Sequence, residues 1–179
     1  MNTPLIRSER LLIRPFTEAD LKAFSRYRAN PAVAKFQSWS DFSYADALAL
    51  FQTIDYANFG AIGHWCQLAI ADSTSNQLLG DLAVQFIDAQ QIEIGFTVAP
   101  EHQRKHVAKE AITAFLDYMF DTLKQHRVIA TTDVENIASY RLLEGLGFTR
   151  EAHFRQNIYF KGAWGDEYQY AMLRSEYKR

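Results

Sequence analysis

Residues 91–111 restrict the architecture of this chain more than any other stretch. An apolar strand there runs into a proline, a turn and an amphipathic helix. Ile92, Ile94, Phe96 and Val98 alternate as strand residues do, and Pro100 stops them. A helix then opens at about Gln103 and runs to about Lys124, with Ala108, Ala111, Ile112, Phe115, Met119 and Leu123 on one stripe. Residues 127–133 read as the next strand. Strand, helix and strand in that order form a βαβ unit, so the two strands are expected to be parallel with a right-handed crossover. The helix start presents unpaired N–H groups and the positive end of the helix dipole beside Arg104, Lys105, His106 and Lys109. That combination predicts an anion site of the phosphate or pyrophosphate kind.

The remaining pattern is that of one mixed α/β domain spanning residues 1–179. Residues 11–16 read as a strand. A helix carrying Leu21, Phe24 and Tyr27 follows an N-cap at Thr17 and ends near Asn30-Pro31, because a residue before proline avoids the helical region. A second helix starts at Ser43, buries Ala47, Leu48, Phe51 and Ile54, and stops near Gly60. Strands over 64–71 and 78–87 flank a polar turn. Residues 136–144 form a short helix with Asn136 as N-cap, closed by glycines at 145 and 147. The tail reads as a hairpin, 149–160 and 167–174.

Composition narrows the function classes. A formal net charge of −2 gives no support to bulk nucleic-acid binding. Arginines at 7, 10 and 14 interrupt any signal-peptide core, and no apolar run reaches the roughly 20 residues of a membrane span. The cytoplasm is the expected location. Cys66 stands alone and cannot form an intrachain disulfide; in the alternating run 64–70 it reads as a small buried thiol rather than a nucleophile. The five histidines show no ligand-pair spacing, so no metal site is expected.

Three segments, 10–21, 92–111 and 136–148, together resemble the GNAT (Gcn5-related N-acetyltransferase) superfamily, and within it the ribosomal-protein alanine and serine N-terminal acetyltransferases and their small-molecule relatives. The resemblance covers nearly the whole chain, and the third segment is the most specific. It implies a mixed, mostly antiparallel sheet with helices on both faces, whose central parallel strands splay apart to hold acetyl-CoA. It places the pantetheine arm on Phe96, Thr97 and Val98 and near Asn136 and Ser139, and the pyrophosphate on Gln103, Arg104, Lys105, His106, Val107 and Ala108. Arg104 and His106 stand where the family usually has glycines. Either the loop keeps helical φ/ψ and its cations assist the phosphates, or CoA binding is weakened; the first is the expectation.

Acetyl transfer to an amine needs a deprotonated amine, a stabilised carbonyl oxygen and a partner for the leaving thiolate. Glu93 lies opposite the apolar face of its strand and is the candidate base, acting through a water; its other reading is a structural carboxylate bonded to a neighbouring strand or arginine. Ser139 matches the serine of the branch's Asn-x-x-Ser and is the candidate thiolate partner, while the Val98 N–H is the candidate for the carbonyl oxygen. Tyr27, Phe36, Gln37, Trp39, Tyr159 and Trp164 are candidates for the acceptor wall, with Asp166 and Glu167 as receivers of a cationic amine. The acceptor is open among a protein N-terminus, an amino sugar or antibiotic, a polyamine and an amino acid, bound by a monomer or homodimer. A catalytically silent CoA sensor is the alternative reading.

Overall fold

The computed structural model describes Met1 and residues 3–177. One eight-stranded sheet organises them, in the order β1-β2-β3-β4-β5-β6-β8-β7. The strands are β1 (Ile6–Arg7), β2 (Leu11–Pro15), β3 (Trp65–Asp72), β4 (Leu78–Phe86), β5 (Gln91–Val98), β6 (Arg127–Asp133), β7 (Thr149–Phe160) and β8 (Ala163–Leu173). Every neighbouring pair is antiparallel except β5 and β6. The helices are α1 (Leu21–Arg28), α2 (Pro31–Ala34), α3 (Tyr44–Thr53), α4 (Val107–Asp117) and α5 (Ile137–Gly145).

The sheet has helices on both faces, and strand alternation decides which side chains meet which layer. Ile92 and Ile94 of β5, with Leu82 and Val84 of β4, point to the face covered by α4 and α5, where Ala111, Ile112, Phe115 and Leu143 are buried against them. The helix stripe anticipated from the sequence is the one buried: Ala111, Ile112, Phe115 and Met119 have no exposed surface. The opposite face, which carries Ala69, is covered by α1 and α3 through Leu21, Phe24, Tyr27 and Ala47. Among the described residues no helix is long and apolar enough to cross a membrane.

Several boundaries differ from the sequence expectation for identifiable reasons. Helix α1 ends at Arg28 with Ala29 as its cap; the Asn30 side chain then accepts from the Ala32 N–H and Pro31 starts α2 at once, since proline at a first helical position loses no hydrogen bond. Helix α3 stops at Thr53 instead of near Gly60, and Asp55 then caps a single 3-10 turn, Tyr56–Asn58. The helix after the parallel strand starts at Val107, four residues later than its pattern suggested, and closes in a π turn at Tyr118–Thr122. Asn136 is the N-cap of α5, accepting from the Ser139 N–H at 3.3 Å, and Gly147 at φ 93° ends it in the left-handed region that glycine enters at no steric cost.

A buried ion pair pins β2 to the N-cap of α1. Arg14 bonds Asp20 through two parallel contacts of 2.7 and 3.0 Å, and Asp20 also accepts from the Thr17 N–H and hydroxyl. Both partners are almost fully enclosed. Burial alone would push the Asp20 carboxyl up, but the hydrogen bonds from Arg14 and Thr17 outweigh it and hold it below its ordinary value.

Candidate active site

Strands β5 and β6 pair only from Gln91↔Arg127 to Glu93↔Ile129, then part. Ala99 N donates to Leu79 O and Ile87 N to Gln91 O, so the odd-numbered residues of β5 bond to β4. Antiparallel alternation therefore turns the amides of Phe96 and Val98 the other way, into the gap left by β6. Close approach of β4 and β5 at this point depends on Gly80, because a Cβ there would sit 2.3 Å from the Thr97 carbonyl oxygen.

Two cavities open from the gap. The first, of about 520 Å³, is lined by Phe96, Thr97, Val98, Gln103, Arg104, His106, Val107, Ala108, Asn136 and Ser139, with His102 and Lys109 beside them. No carboxylate lines it. Of the residues proposed from the sequence for the donor, only Lys105 is outside this wall. Its carbonyl instead accepts from Arg10 Nη2 at 3.2 Å.

The loop 103–106 is not helical. Arg104 and His106 have φ of 59° and 62°, the left-handed conformation, which corrects the expectation of helical φ/ψ. The glycine-like backbone is thus retained without glycine, at about 1–2 kcal/mol of strain per residue. Contacts on both sides hold it. Gln103 Nε2 donates to the Val98 carbonyl at 3.0 Å. Arg10 and Ser8 reach Glu110 in the first turn of α4, with Arg10 Nε–Oε2 at 2.8 Å and Ser8 Oγ–Oε1 at 2.7 Å. Burial would raise the Glu110 carboxyl, but these donors outweigh it and keep it ionised below its ordinary value.

The second cavity, of about 200 Å³, lies on the α1–α2 side and shares Phe36, Gln37, Phe96, Thr97, Asn136 and Ser139 with the first. Its remaining polar wall includes Arg28, Gln67, Asp81, Thr131, Asp133 and Glu167. Asp133 and Glu167 face each other in the β6–β8 register, and neither makes an ion pair among the described residues. Glu93 lines neither cavity; its Oε1 accepts from the hydroxyl of Thr131, which does, at 3.0 Å.

The acceptor-wall candidates divide. Phe36 and Gln37 line both cavities. Tyr27 is buried one layer behind, its hydroxyl on Asp81, and Trp39 packs on Arg28 while donating to the Arg28 carbonyl at 3.0 Å. Tyr159 and Trp164 meet edge to face at 5.3 Å, are 63% and 61% exposed, and stand outside the wall. Their neighbours Ile158 and Phe160 line it instead, because successive residues of β7 point to opposite sides. Asp166 also lies outside, bonded to His153 at 2.8 Å and to the Gln156 N–H at 2.9 Å. Arg28, Gln67, Asp81, Thr131 and Asp133 were not among the sequence candidates. The signal for Asp81 was a single acid inside the apolar run 78–86.

Cys66 is buried, and its thiol is pushed up to about 11 by that burial and by Asp55, so it carries no thiolate at neutral pH. No cluster of potential metal ligands occurs among the described residues.

Residues 10–149 match the family model for the acetyltransferase (GNAT) domain. The chain belongs to the GNAT acetyltransferase family. It is 34% identical over 173 residues to the uncharacterised N-acetyltransferase YnaD of Bacillus subtilis (strain 168), covering 96% of this chain and 98% of that one. A GNAT-family acetyltransferase crystal structure from Bacillus anthracis is 33% identical, with a TM-score of 0.86 over 97% of this chain and 100% of that chain. The spermidine N-acetyltransferase of Vibrio cholerae, solved with CoA and spermine, shares the fold at 24% identity, a TM-score of 0.81 and coverage of 95% and 99%. This GNAT chain is therefore an acyltransferase whose acetyl donor is acetyl-CoA. The splayed parallel pair, the left-handed loop and the cation-lined cleft suit an anionic donor of that kind.

Proposed function

We propose that this GNAT enzyme transfers the acetyl group directly from acetyl-CoA to a primary amine in a ternary complex. The observation that carries this is the segregation of charge between two adjoining cavities. The donor cleft is lined by Arg104, Lys109, His102 and His106 and by no acid; the smaller cavity holds the acids Asp81, Asp133 and Glu167 against one cation, Arg28, which pairs with Asp81. An anionic cosubstrate and a cationic amine are each attracted to their own side and meet at Phe96, Thr97, Asn136 and Ser139.

In this reading Asp133 and Glu167 receive the ammonium. Two carboxylates opposite one another in a ladder repel, and a cation between them removes that cost. Glu93 takes the amine proton along a path through the Thr131 hydroxyl and water. The amine nitrogen bonds to the acetyl carbonyl carbon while the Val98 or Phe96 N–H meets the carbonyl oxygen. The carbon–sulfur bond then breaks, and the thiolate leaves onto the Ser139 hydroxyl.

Calorimetry with acetyl-CoA, followed by measurement of CoA release over a panel of amines, tests the reading. Tight donor binding with turnover on at least one amine is expected, and Ser139→Ala should lower kcat roughly 10²-fold while donor affinity is kept. Donor binding without turnover on any amine would favour a silent CoA-binding module.

A further inference from the structure

The small cavity contains a cluster that acetyl transfer alone does not require. Arg28, at the C-terminal end of α1, is 7% exposed, and its guanidinium is enclosed by aromatic rings, with Cζ 4.2 Å from the Trp39 centroid and 4.3 Å from that of Phe24. Aromatic rings over a guanidinium face leave its plane for hydrogen bonding. In that plane Arg28 makes one bond, Nη2 to Asp81 Oδ2 at 3.3 Å, and its Nε is buried without an acceptor.

Asp81 does not account for the arginine. Its Oδ1 already accepts from Tyr27 and its Oδ2 from Gln67, so the negative charge is shared among three donors. Burial, followed by the Asp81 charge, pushes the Tyr27 phenol well above its ordinary range, which keeps it a donor. The cluster therefore has a surplus of donors and lacks an acceptor. A buried guanidinium is costly unless its donors are satisfied, and the group that suits it best is a carboxylate, which accepts two parallel N–H bonds.

We infer that Arg28 is the receptor for a carboxylate on the amine acceptor, and that this enzyme acetylates a compact amino acid. The inference rests on the amine-acetylation reading above and narrows it. Asp133 and Glu167 take the ammonium end and Arg28 the carboxylate end of one zwitterion, inside a cavity of about 200 Å³. That volume is below the roughly 300–1,000 Å³ of sites for drug-sized ligands. A polyamine offers no acceptor to Arg28 and would leave the guanidinium unsatisfied.

Initial rates with matched acceptors test this: small α-amino acids, their amides and the corresponding decarboxylated amines, for example alanine, alaninamide and ethylamine. Wild-type enzyme should prefer the free carboxylate by roughly 10- to 100-fold in kcat/KM. Arg28→Lys, which keeps the charge beside Asp81 but removes the planar fork, should collapse that ratio. A preference for ethylamine or spermidine over every amino acid, or an unchanged ratio in Arg28→Lys, would overturn the inference. Should the variant fail to fold, the wild-type enzyme decides alone. Propanoate should then inhibit competitively against an amine acceptor, and no inhibition counts against Arg28 as a carboxylate receptor. Turnover confined to carboxylate-free amines defeats this inference only, whereas donor binding with no turnover on any amine defeats the amine-acetylation reading with it.

Discussion

The Glu93 carboxylate accepts a hydrogen bond from the Thr131 hydroxyl at 3.0 Å, at the point where β5 and β6 cease to pair. The contact aims a carboxylate that is one residue removed from the cavity wall at a hydroxyl that forms part of it. Thr131→Val keeps the β-branched shape and removes the donor, so kcat should fall about tenfold, the value of one hydrogen bond to a charged group. Glu93→Gln should cost about 10²-fold, with the deficit largest at low pH, where the amine is mainly protonated. Rate profiles against pH for both variants check this, and a deficit uniform across pH would leave Glu93 a structural role only.

The left-handed residues Arg104 and His106 make a separable prediction. Replacing both by glycine relieves about 1–2 kcal/mol of strain at each position and returns up to about 1 kcal/mol each in unfolded-chain entropy. Thermal stability should therefore change little. Acetyl-CoA affinity should fall and become less sensitive to salt, since a cation is lost from beside the phosphates. Melting curves and calorimetry at two ionic strengths read the two effects independently.

Gly80→Ala places a methyl 2.3 Å from the Thr97 carbonyl oxygen and 3.0 Å from Val98 Cα, both backbone atoms that cannot rotate aside. We expect a loss of about 3 kcal/mol in stability and weaker acetyl-CoA binding, because Val98 lines the cavity proposed for the donor. Chemical denaturation and donor titration of the same preparation measure both.

The Arg14–Asp20 pair sets an acid limit. Asp20 titrates below its ordinary 3.8 when folded, so its contribution is fully present above that pH and is lost as pH falls through the lower folded value. Asp20→Asn should cost about 3 kcal/mol at neutral pH, because Arg14 is left buried without its counter-ion. The difference between variant and parent should shrink in acid, which denaturant titrations at neutral and acidic pH would show.

The order of the longer strands and helices was legible because each carries its own period, two along β5 and between three and four along α4, whereas β1 and α2, of two and four residues, are too short to show one. The cleft proposed for the donor draws most of its wall from one segment and one short helix, residues 96–109 and 136–142, which local sequence can show; Ala32, Val33, Phe36 and Gln37 join it from elsewhere. The small cavity is assembled from α1, the segment after α2, β3, β4, β5, β6, α5 and the β7–β8 hairpin, and its charges come from distant positions that no local spacing connects. Arg28 and Asp81 are 53 residues apart in the chain. Tyr159 and Trp164 illustrate a different failure. Aromatic character marks a residue as able to form a wall, but only the pleat decides whether residue 159 or its neighbours 158 and 160 turn inward.

The chain's one cysteine, sealed in β3 with a thiol held near 11, is chemically silent in neutral solution. Every reactive sulfhydryl that appears during turnover is therefore a product molecule. A chromogenic disulfide reagent can count acetyl transfers one by one without a protein background, and a steady colour from the enzyme alone would report that β3 has opened.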